Sequence, residues 1–122
     1  MKKSYIELLG EKHPMCFSLS AVEALCDEFG DIKELPARLK SGTLGDQAKT
    51  LDKILCILLN AGRKYCEIAG EELPEKLKCR PADVLDISEM KDSIAGVFEI
   101  FANDAKREVE AKTKNAEPTP DN

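Results

Sequence analysis

The stretch that decides the fold is residues 4–31, SYIELLGEKHPMCFSLSAVEALCDEFGD. It predicts a β-hairpin that leads directly into an amphipathic helix. The strands are predicted over residues 5–9 and 14–17, and the polar segment 10–13 is the predicted turn because it starts with a glycine. An isolated hairpin is only marginally stable, so its apolar side should pack on a helix. The side chains expected to point inward are Ile6, Leu8, Met15 and Phe17.

The helix after the hairpin carries its own start and stop signals. Ser18 or Ser20 is the expected N-cap, and Glu23 stands three residues after Ser20, which is the spacing of a capping box. Gly30 is expected to end the helix in a left-handed conformation. Apolar residues recur at the spacing of one helix face. They are Leu19, Val22, Leu25, Cys26 and Phe29.

A second, short helix is expected after Asp31, with Leu35 and Leu39 on one face. Pro36 either restarts this helix as its first residue or distorts its first turn. After a loop over residues 41–45, a third helix is predicted to open at Asp46 and to continue past a glycine to about residue 68. Its broad apolar stripe indicates the central helix of the fold, packed on more than one side.

The last helix follows a polar link over residues 70–81, after which Pro81 is expected to begin a short helical turn. Asp86 or Ser88 is the expected N-cap, and Glu89 has capping-box spacing from Asp86. The expected buried face is Met90, Ile94, Val97, Phe98 and Phe101. Residues 113–122 contain two prolines and no large apolar side chain, so they are predicted to be a disordered tail.

These segments predict one α+β domain that is mostly α, spanning residues 1–112, with the tail over residues 113–122. A two-stranded N-terminal hairpin packs on a bundle of four to five helices. A chain of 122 residues is long enough for one modest core.

The order of these segments resembles a known family. The matching pieces are Gly10 and residues 14–19 (PMCFSL) of the hairpin, residues 28–32 (EFGDI) and residues 58–62 (LLNAG). With the short second helix and the final helix, this series is similar to the tail assembly chaperones of long-tailed bacteriophages and gene transfer agents. The similarity spans residues 4–101, which is most of the chain.

The resemblance implies a small, mostly helical, non-enzymatic protein that binds the tape-measure protein during tail assembly and keeps it soluble. It implies the tail-tube protein as a further candidate partner, and it is compatible with a homo-oligomer coating the tape measure. No cofactor is implied. The implied compartment is the cytoplasm of a host cell, which agrees with a charged N-terminal segment unlike a signal peptide.

Charge and hydropathy exclude several classes of function. The net charge is −5 and no dense block of Lys and Arg exists, so the sequence predicts no nucleic-acid partner, because phosphate contacts supply most non-specific affinity. The same charge disfavours binding to an anionic membrane surface. No run of about 18 apolar residues is present to cross a bilayer.

Neither a metal site nor a catalytic site is predicted. Five cysteines without paired spacing indicate reduced thiols rather than a disulfide framework. His13 and Cys16 could form half of a metal site, but zinc needs three or four ligands, so His13 is expected to be a solvent-exposed turn residue. A strand would place these two side chains on opposite faces, which argues against a nucleophile–base pair. The acidic pairs are expected on the solvated surface.

The number of large apolar residues on the predicted helices suggests that some form an exposed groove for a partner helix. The candidate partner-binding residues are Leu25, Phe29, Leu35, Leu39, Val97 and Phe101. The alternative function is a small helical adaptor or a DNA-binding regulator with a helix-turn-helix over residues 20–40. Against DNA binding, Pro36 interrupts the expected recognition segment, residues 32–40, and acidic residues surround the few cations of that segment.

Overall fold

The structure, a computed structural model, describes the backbone of residues 3–116 and the side chains of residues 3–101. As predicted, a two-stranded antiparallel hairpin packs on a mostly helical body. Within the described residues the elements are β1 (Lys3–Leu8), β2 (Glu11–Cys16), α1 (Leu19–Phe29), α2 (Leu35–Lys40), α3 (Leu44–Ala69) and α4 (Ile87–Ala116). Short 3₁₀ turns, Ile32–Glu34 and Pro81–Asp83, precede α2 and α4.

The hairpin turn is shorter than the sequence suggested. Leu9 and Gly10 alone connect the strands, and both have positive φ angles, 53° and 80°. Two central residues with positive φ define the type I′ turn, whose twist matches that of the paired strands. The predicted turn over residues 10–13 is therefore wrong, because Lys12 and His13 belong to β2 and pair with β1.

The C-terminal part of strand β2, residues 13–16, is buried on both faces, and the strand lies between β1 and α3. His13, Pro14, Met15 and Cys16 are all buried, and His13 is only 2% exposed. The expectation of a solvent-exposed turn histidine is therefore wrong. The predicted inward side of the hairpin is confirmed, since its four residues are buried or pack against the core: Ile6, Leu8, Met15 and Phe17.

The hairpin approaches α3 most closely at Gly62, in the middle of that helix. A Cβ atom on Gly62 would collide with the Pro14 carbonyl and would lie 2.8 Å from the Met15 nitrogen. The backbone of β2 thus rests directly on the backbone of α3. This contact explains why α3 tolerates an interior glycine, which costs about 1 kcal/mol relative to alanine.

Helix α1 starts and ends at predicted residues, but Gly30, with a ψ angle of −127°, does not adopt the expected left-handed helical conformation, and the buried face is narrower. Ser18 is the N-cap, accepting a hydrogen bond from the Ala21 N–H at 3.2 Å, and Gly30 ends the helix with a φ angle of 82°. Leu19 is 83% exposed and Cys26 is exposed, so their predicted burial is wrong. A helix turns about 100° per residue, which places both at least about 100° from the buried Leu25.

The starts of helices α2 and α3 are determined by a proline and by an N-cap, respectively. The 3₁₀ turn ends before Pro36, which lies in the first turn of α2 where a missing N–H is tolerated. Helix α3 begins at Leu44, two residues before the predicted Asp46, because Thr43 is its N-cap and Asp46 closes a capping box with it. Its end at Ala69 agrees with the predicted continuation, and Gly70 is the left-handed C-cap.

Helix α4 begins at the predicted cap. The Glu89 N–H donates to Asp86 at 2.7 Å, and the Asp86 N–H donates to Glu89 at 2.9 Å, which completes a capping box. The helix includes residues 113–116, the first part of the predicted tail, whereas residues 117–122 lie outside the described residues. Among the described helices, none is both long and apolar enough to cross a membrane.

Two glycine substitutions test the contact between the hairpin and α3. Gly62→Ala should lower the free energy of unfolding by about 2 kcal/mol, because the new methyl group overpacks against β2. The matched control is Gly96→Ala in α4, where an added Cβ meets no atom within 4 Å. That change should raise stability by about 1 kcal/mol through helix propensity. Urea denaturation of both variants measures the difference, and equal effects would contradict the proposed contact.

Candidate functional site: an apolar groove at two helix starts

The strongest candidate site is a groove of about 280 Å³ where the first turns of α3 and α4 meet the 3₁₀ turn between them. Two large apolar side chains stand exposed on its rim, Leu44 at 50% and Ile87 at 58%. We call this surface the apolar groove. Its lining residues are Leu44, Gly45, Ala48, Leu51, Asp52, Leu55, Ala82, Leu85, Asp86, Ile87 and Met90.

The rim of the apolar groove follows from the way the two helices begin. Leu44 is the first residue after the cap Thr43, and Ile87 is the first residue after the cap Asp86. A capping box fixes the backbone at a helix start, but no preceding turn is there to cover the first side chain. Two capped starts side by side therefore present two aliphatic side chains at fixed positions.

The buried carboxylate of Asp52 lies at the floor of the groove and fixes its position. This residue of α3 accepts a hydrogen bond from the Ala82 N–H at 2.9 Å and lies 3.7 Å from the Arg80 guanidinium. Arg80 also approaches Asp83 at 3.5 Å. These contacts fasten the 3₁₀ turn to α3. The two charged residues of the lining, Asp52 and Asp86, thus both already accept backbone N–H groups.

The structure places the predicted partner-binding residues in the core rather than on the rim. Leu25, Leu35, Leu39 and Val97 are at most 1% exposed. Phe29 and Phe101 are partly buried, and the Phe101 ring lies 4.9 Å from that of Phe17. None of these six residues lines the apolar groove. Leu25, Leu35, Leu39 and Val97 are therefore too buried to form the rim of an exposed partner surface, whereas Phe29 and Phe101 keep part of their surface exposed.

The sequence contains a local signal for one side of the rim. Leu44 follows Thr43, and Asp46 stands three residues after Thr43, so a capping box was readable there. The predicted loop over residues 41–45 is therefore too long, because Leu44 is the first residue of α3. Helical periodicity does not point to Ile87, because it identifies the buried face of a helix rather than exposed positions at its start.

A smaller cavity, of about 170 Å³, brings the only histidine close to two cysteines. His13 lines it together with Cys56 of α3 and Cys79 of the link. The buried Nε2 atom of His13 has no hydrogen-bond partner among the described residues. No cluster of three or more His, Cys, Asp or Glu side chains in the described part of the chain is arranged to hold a metal ion. The cavity therefore does not provide the ligand set of a zinc site.

The thiols differ in their access to solvent and in their acidity. All five are free; Cys16 and Cys66 are buried, whereas Cys26 and Cys79 are exposed. Burial, and next the neighbouring Cys66, raise the pKa of the Cys16 thiol. Burial, and next Asp52, raise the pKa of the Cys56 thiol. Both groups therefore carry less thiolate at neutral pH than an exposed cysteine, which makes them weaker nucleophiles.

Replacing His13 tests the cost of its unpartnered nitrogen. His13→Leu should raise the free energy of unfolding by about 1–3 kcal/mol, because it removes a buried polar atom that has no hydrogen bond. His13→Asn keeps a polar group at the same place and should not stabilise. Thermal and urea denaturation give the values. Destabilisation by His13→Leu would mean that His13 has a partner, such as a bound water.

The raised thiol pKa values predict a pH dependence of stability. In the unfolded chain, thiols ionise near pH 8.5. In the folded chain, Cys16 and Cys56 keep their protons to higher pH. Between these values the unfolded state binds fewer protons, so stability falls as pH rises. Denaturation under reducing conditions at pH 7.5 to 9.5 should show this fall.

The cysteine variants identify the source of that fall. It should be smaller in a Cys16→Ala/Cys56→Ala double variant, whose midpoint at neutral pH will be lower because packing is lost. It should be unchanged in Cys26→Ala, where the thiol is exposed. An equal slope in all three proteins would assign the effect to other groups.

The comparisons with known proteins leave the site to be interpreted from its own geometry. No family model, no curated protein and no solved structure matches this chain. The functional proposal is therefore based on the apolar groove. Two aliphatic side chains of this groove are exposed, and its two carboxylates already accept backbone N–H groups.

Proposed function

We propose that this chain is a non-enzymatic tail assembly chaperone that binds an amphipathic helix of a tape-measure protein in the apolar groove. The observation that supports the proposal is that two aliphatic side chains, Leu44 and Ile87, are exposed on the rim of the apolar groove. The family resemblance of residues 4–101 supplies the identity of the partner. The role is to shield apolar helix surface until the tail tube assembles around the tape measure.

The shape and chemistry of the groove suit a helix better than a polar ligand. A helix that enters a groove with its apolar face contacts it at the i, i+3, i+4 and i+7 positions. Its aliphatic side chains would cover Leu44 and Ile87 and lie against Ala48 and Met90. Both carboxylates of the lining are occupied by backbone N–H groups, so the groove offers a partner mainly apolar contact.

The strength of one such contact is modest, which fits a reversible chaperone. Full burial of a Leu or Ile side chain contributes about 1.5–3 kcal/mol, and both rim residues are already about half covered. One groove therefore supplies a weak site. A long helical partner offers many sites to many copies, and multivalent coating raises the overall affinity without new contacts.

The alternative of a DNA-binding regulator finds less support. The recognition helix imagined within residues 20–40 corresponds to α2, which has only six residues. Its cations lie against aromatic rings: Arg38 is 5.2 Å from the centroid of Phe29, and Lys40 is 4.8 Å from that of Phe98. A protein-binding adaptor remains the alternative, and the same groove would serve it.

The test is co-expression of the chain with the tape-measure protein encoded beside it, followed by a soluble-fraction assay and co-purification. The chain should make the large partner soluble and bind it. Leu44→Glu and Ile87→Glu should each weaken binding by about tenfold, because they place a charge on an apolar contact.

The matched controls carry the same change elsewhere on the surface. Leu19 and Ile68 are 83% and 81% exposed and do not line the apolar groove. Leu19→Glu and Ile68→Glu should therefore leave binding unchanged. If the partner stays insoluble with the unaltered chain, the chaperone proposal fails. If it binds equally well to all four variants, the function stands but the groove is not its site.

A further inference from the structure

Strand β1 has one open edge. The sheet contains only β1 and β2 within the described residues, so the side of β1 away from β2 has no neighbouring strand. An open strand edge presents unpaired N–H and C=O groups, which can pair with another extended chain. This edge is independent of the apolar groove and of the function proposed for it.

The register of the hairpin identifies which backbone groups point outward. Leu8 and Glu11 flank the two-residue turn and therefore form a hydrogen-bonded pair. Pairs alternate along an antiparallel ladder, which makes Tyr5 and Pro14 a non-hydrogen-bonded pair. Pro14 agrees with this phase, since it has no N–H to donate. The N–H and C=O of Tyr5 consequently face the open edge, and those of Glu7 do too.

A groove of about 440 Å³ runs along this edge, and we call it the strand-edge groove. One wall is formed by residues 4–7 of β1 and the other by α4, and Met15, Phe17 and Leu55 complete the lining between them. Successive side chains of a strand point to opposite faces. A groove that touches four successive residues therefore follows the edge of the strand. Its α4 wall consists of Asp92, Ser93, Gly96, Val97, Glu99 and Ile100.

The strand-edge groove is acidic and has room beside α4. Its charged lining residues are Glu7, Asp92 and Glu99, and no Lys or Arg among the described side chains lines it. Gly96 lies inside α4, where a glycine costs about 1 kcal/mol, yet a Cβ there would meet nothing within 4 Å. Packing within the described protein therefore does not require this glycine. It leaves space for a chain lying between β1 and α4.

We propose that the strand-edge groove binds an extended, basic segment of a partner polypeptide, which adds to the sheet as a third strand beside β1. Backbone hydrogen bonds to Tyr5 and Glu7 would supply affinity, as in other cases of strand addition. Lys or Arg side chains of the segment would face the three carboxylates, and alternate apolar side chains would enter beside Gly96.

A second copy of this chain is a poorer occupant for electrostatic reasons. Pairing of β1 with β1 in a two-fold dimer brings the same patch of both copies together. Glu7, Asp92 and Glu99 of each copy would then share one interface, and like charges at an interface are unfavourable. The net charge of −5 acts in the same direction. A basic partner segment relieves this repulsion.

The experiment follows the backbone amide signals of the isotope-labelled protein during titration with capped octapeptides. The probe alternates Lys with Val, and the control peptide alternates Glu with Val. The Lys–Val peptide should shift the signals of residues 4–7 and 92–100, and its affinity should fall as salt is added, because surface charges are screened. The Glu–Val peptide should bind at least about tenfold more weakly.

Two pairs of variants separate the groove from its surroundings. Tyr5→Pro removes an outward N–H, while Tyr5→Val keeps it. Gly96→Leu fills the space beside α4, while Ala95→Leu adds the same side chain at an exposed position outside the lining. Binding should be lost in Tyr5→Pro and Gly96→Leu and retained in the other two. Because Gly96 is exposed, Gly96→Leu tests the groove even if Tyr5→Pro does not fold.

Three results would overturn the proposal. The first is no shift at residues 4–7 with about 1 mM Lys–Val peptide, the weak end of specific recognition. The second is equal binding of the two peptides or of all four variants. The third is a concentration-dependent shift of the β1 signals without peptide, which would show that a second copy occupies the edge. None of these results depends on the tape-measure protein, so failure here is distinct from failure of the chaperone proposal.

Discussion

The contact between the backbones of β2 and α3 at Gly62 is the constraint on which the remaining structure depends. Because Gly62 has no side chain, the Pro14 carbonyl and the Met15 nitrogen lie directly against the backbone of α3. That approach accompanies the burial of residues 13–16 of β2 on both faces and covers the middle of α3. A two-stranded hairpin is too small to be stable alone, so its packing against α3 supplies the apolar burial that it needs.

The same arrangement determines which surfaces remain for partners. Because α3 covers β2, the edge of the sheet that the described residues leave open is that of β1, and α4 passes beside it to form the strand-edge groove. The first turns of α3 and α4 form the apolar groove elsewhere on the same two helices. Leu55 of α3 is buried and lines both grooves. One central helix thus supports a surface for apolar contact and a second surface for backbone pairing and charge.

The sequence predicted most of the fold because its signals are local. The caps Ser18 and Asp86, the stop at Gly30 and the length of α3 depend only on residues a few positions apart. The burial of His13 depends on α3, which is distant in the chain, and no local pattern reports it. The sequence does not indicate the type I′ turn, because Leu9 adopts a positive φ angle, which is uncommon for leucine.

The candidate site was harder to predict than the fold. Periodicity selected six apolar residues that are largely the core, since a helix buries its most regular stripe. The exposed residues Leu44 and Ile87 stand at helix starts, outside any periodic stripe. The strand-edge groove depends on the register of the hairpin and on the path of α4. Both are tertiary properties that local patterns in a single sequence do not predict.

The contact at Gly62 also determines when the hairpin becomes covered during synthesis of the chain. Gly62 follows Pro14 by 48 positions, so β2 is synthesised well before the helix that covers it. At about 5–20 residues per second, the wait is on the order of 2–10 s. A β-hairpin forms within about 10 μs, so the local pairing through Leu9 and Gly10 can close long before α3 arrives. Because an isolated hairpin is only marginally stable, it pairs and reopens many times during this wait, and Met15 and the inner face of β1 stay in contact with water until α3 is complete.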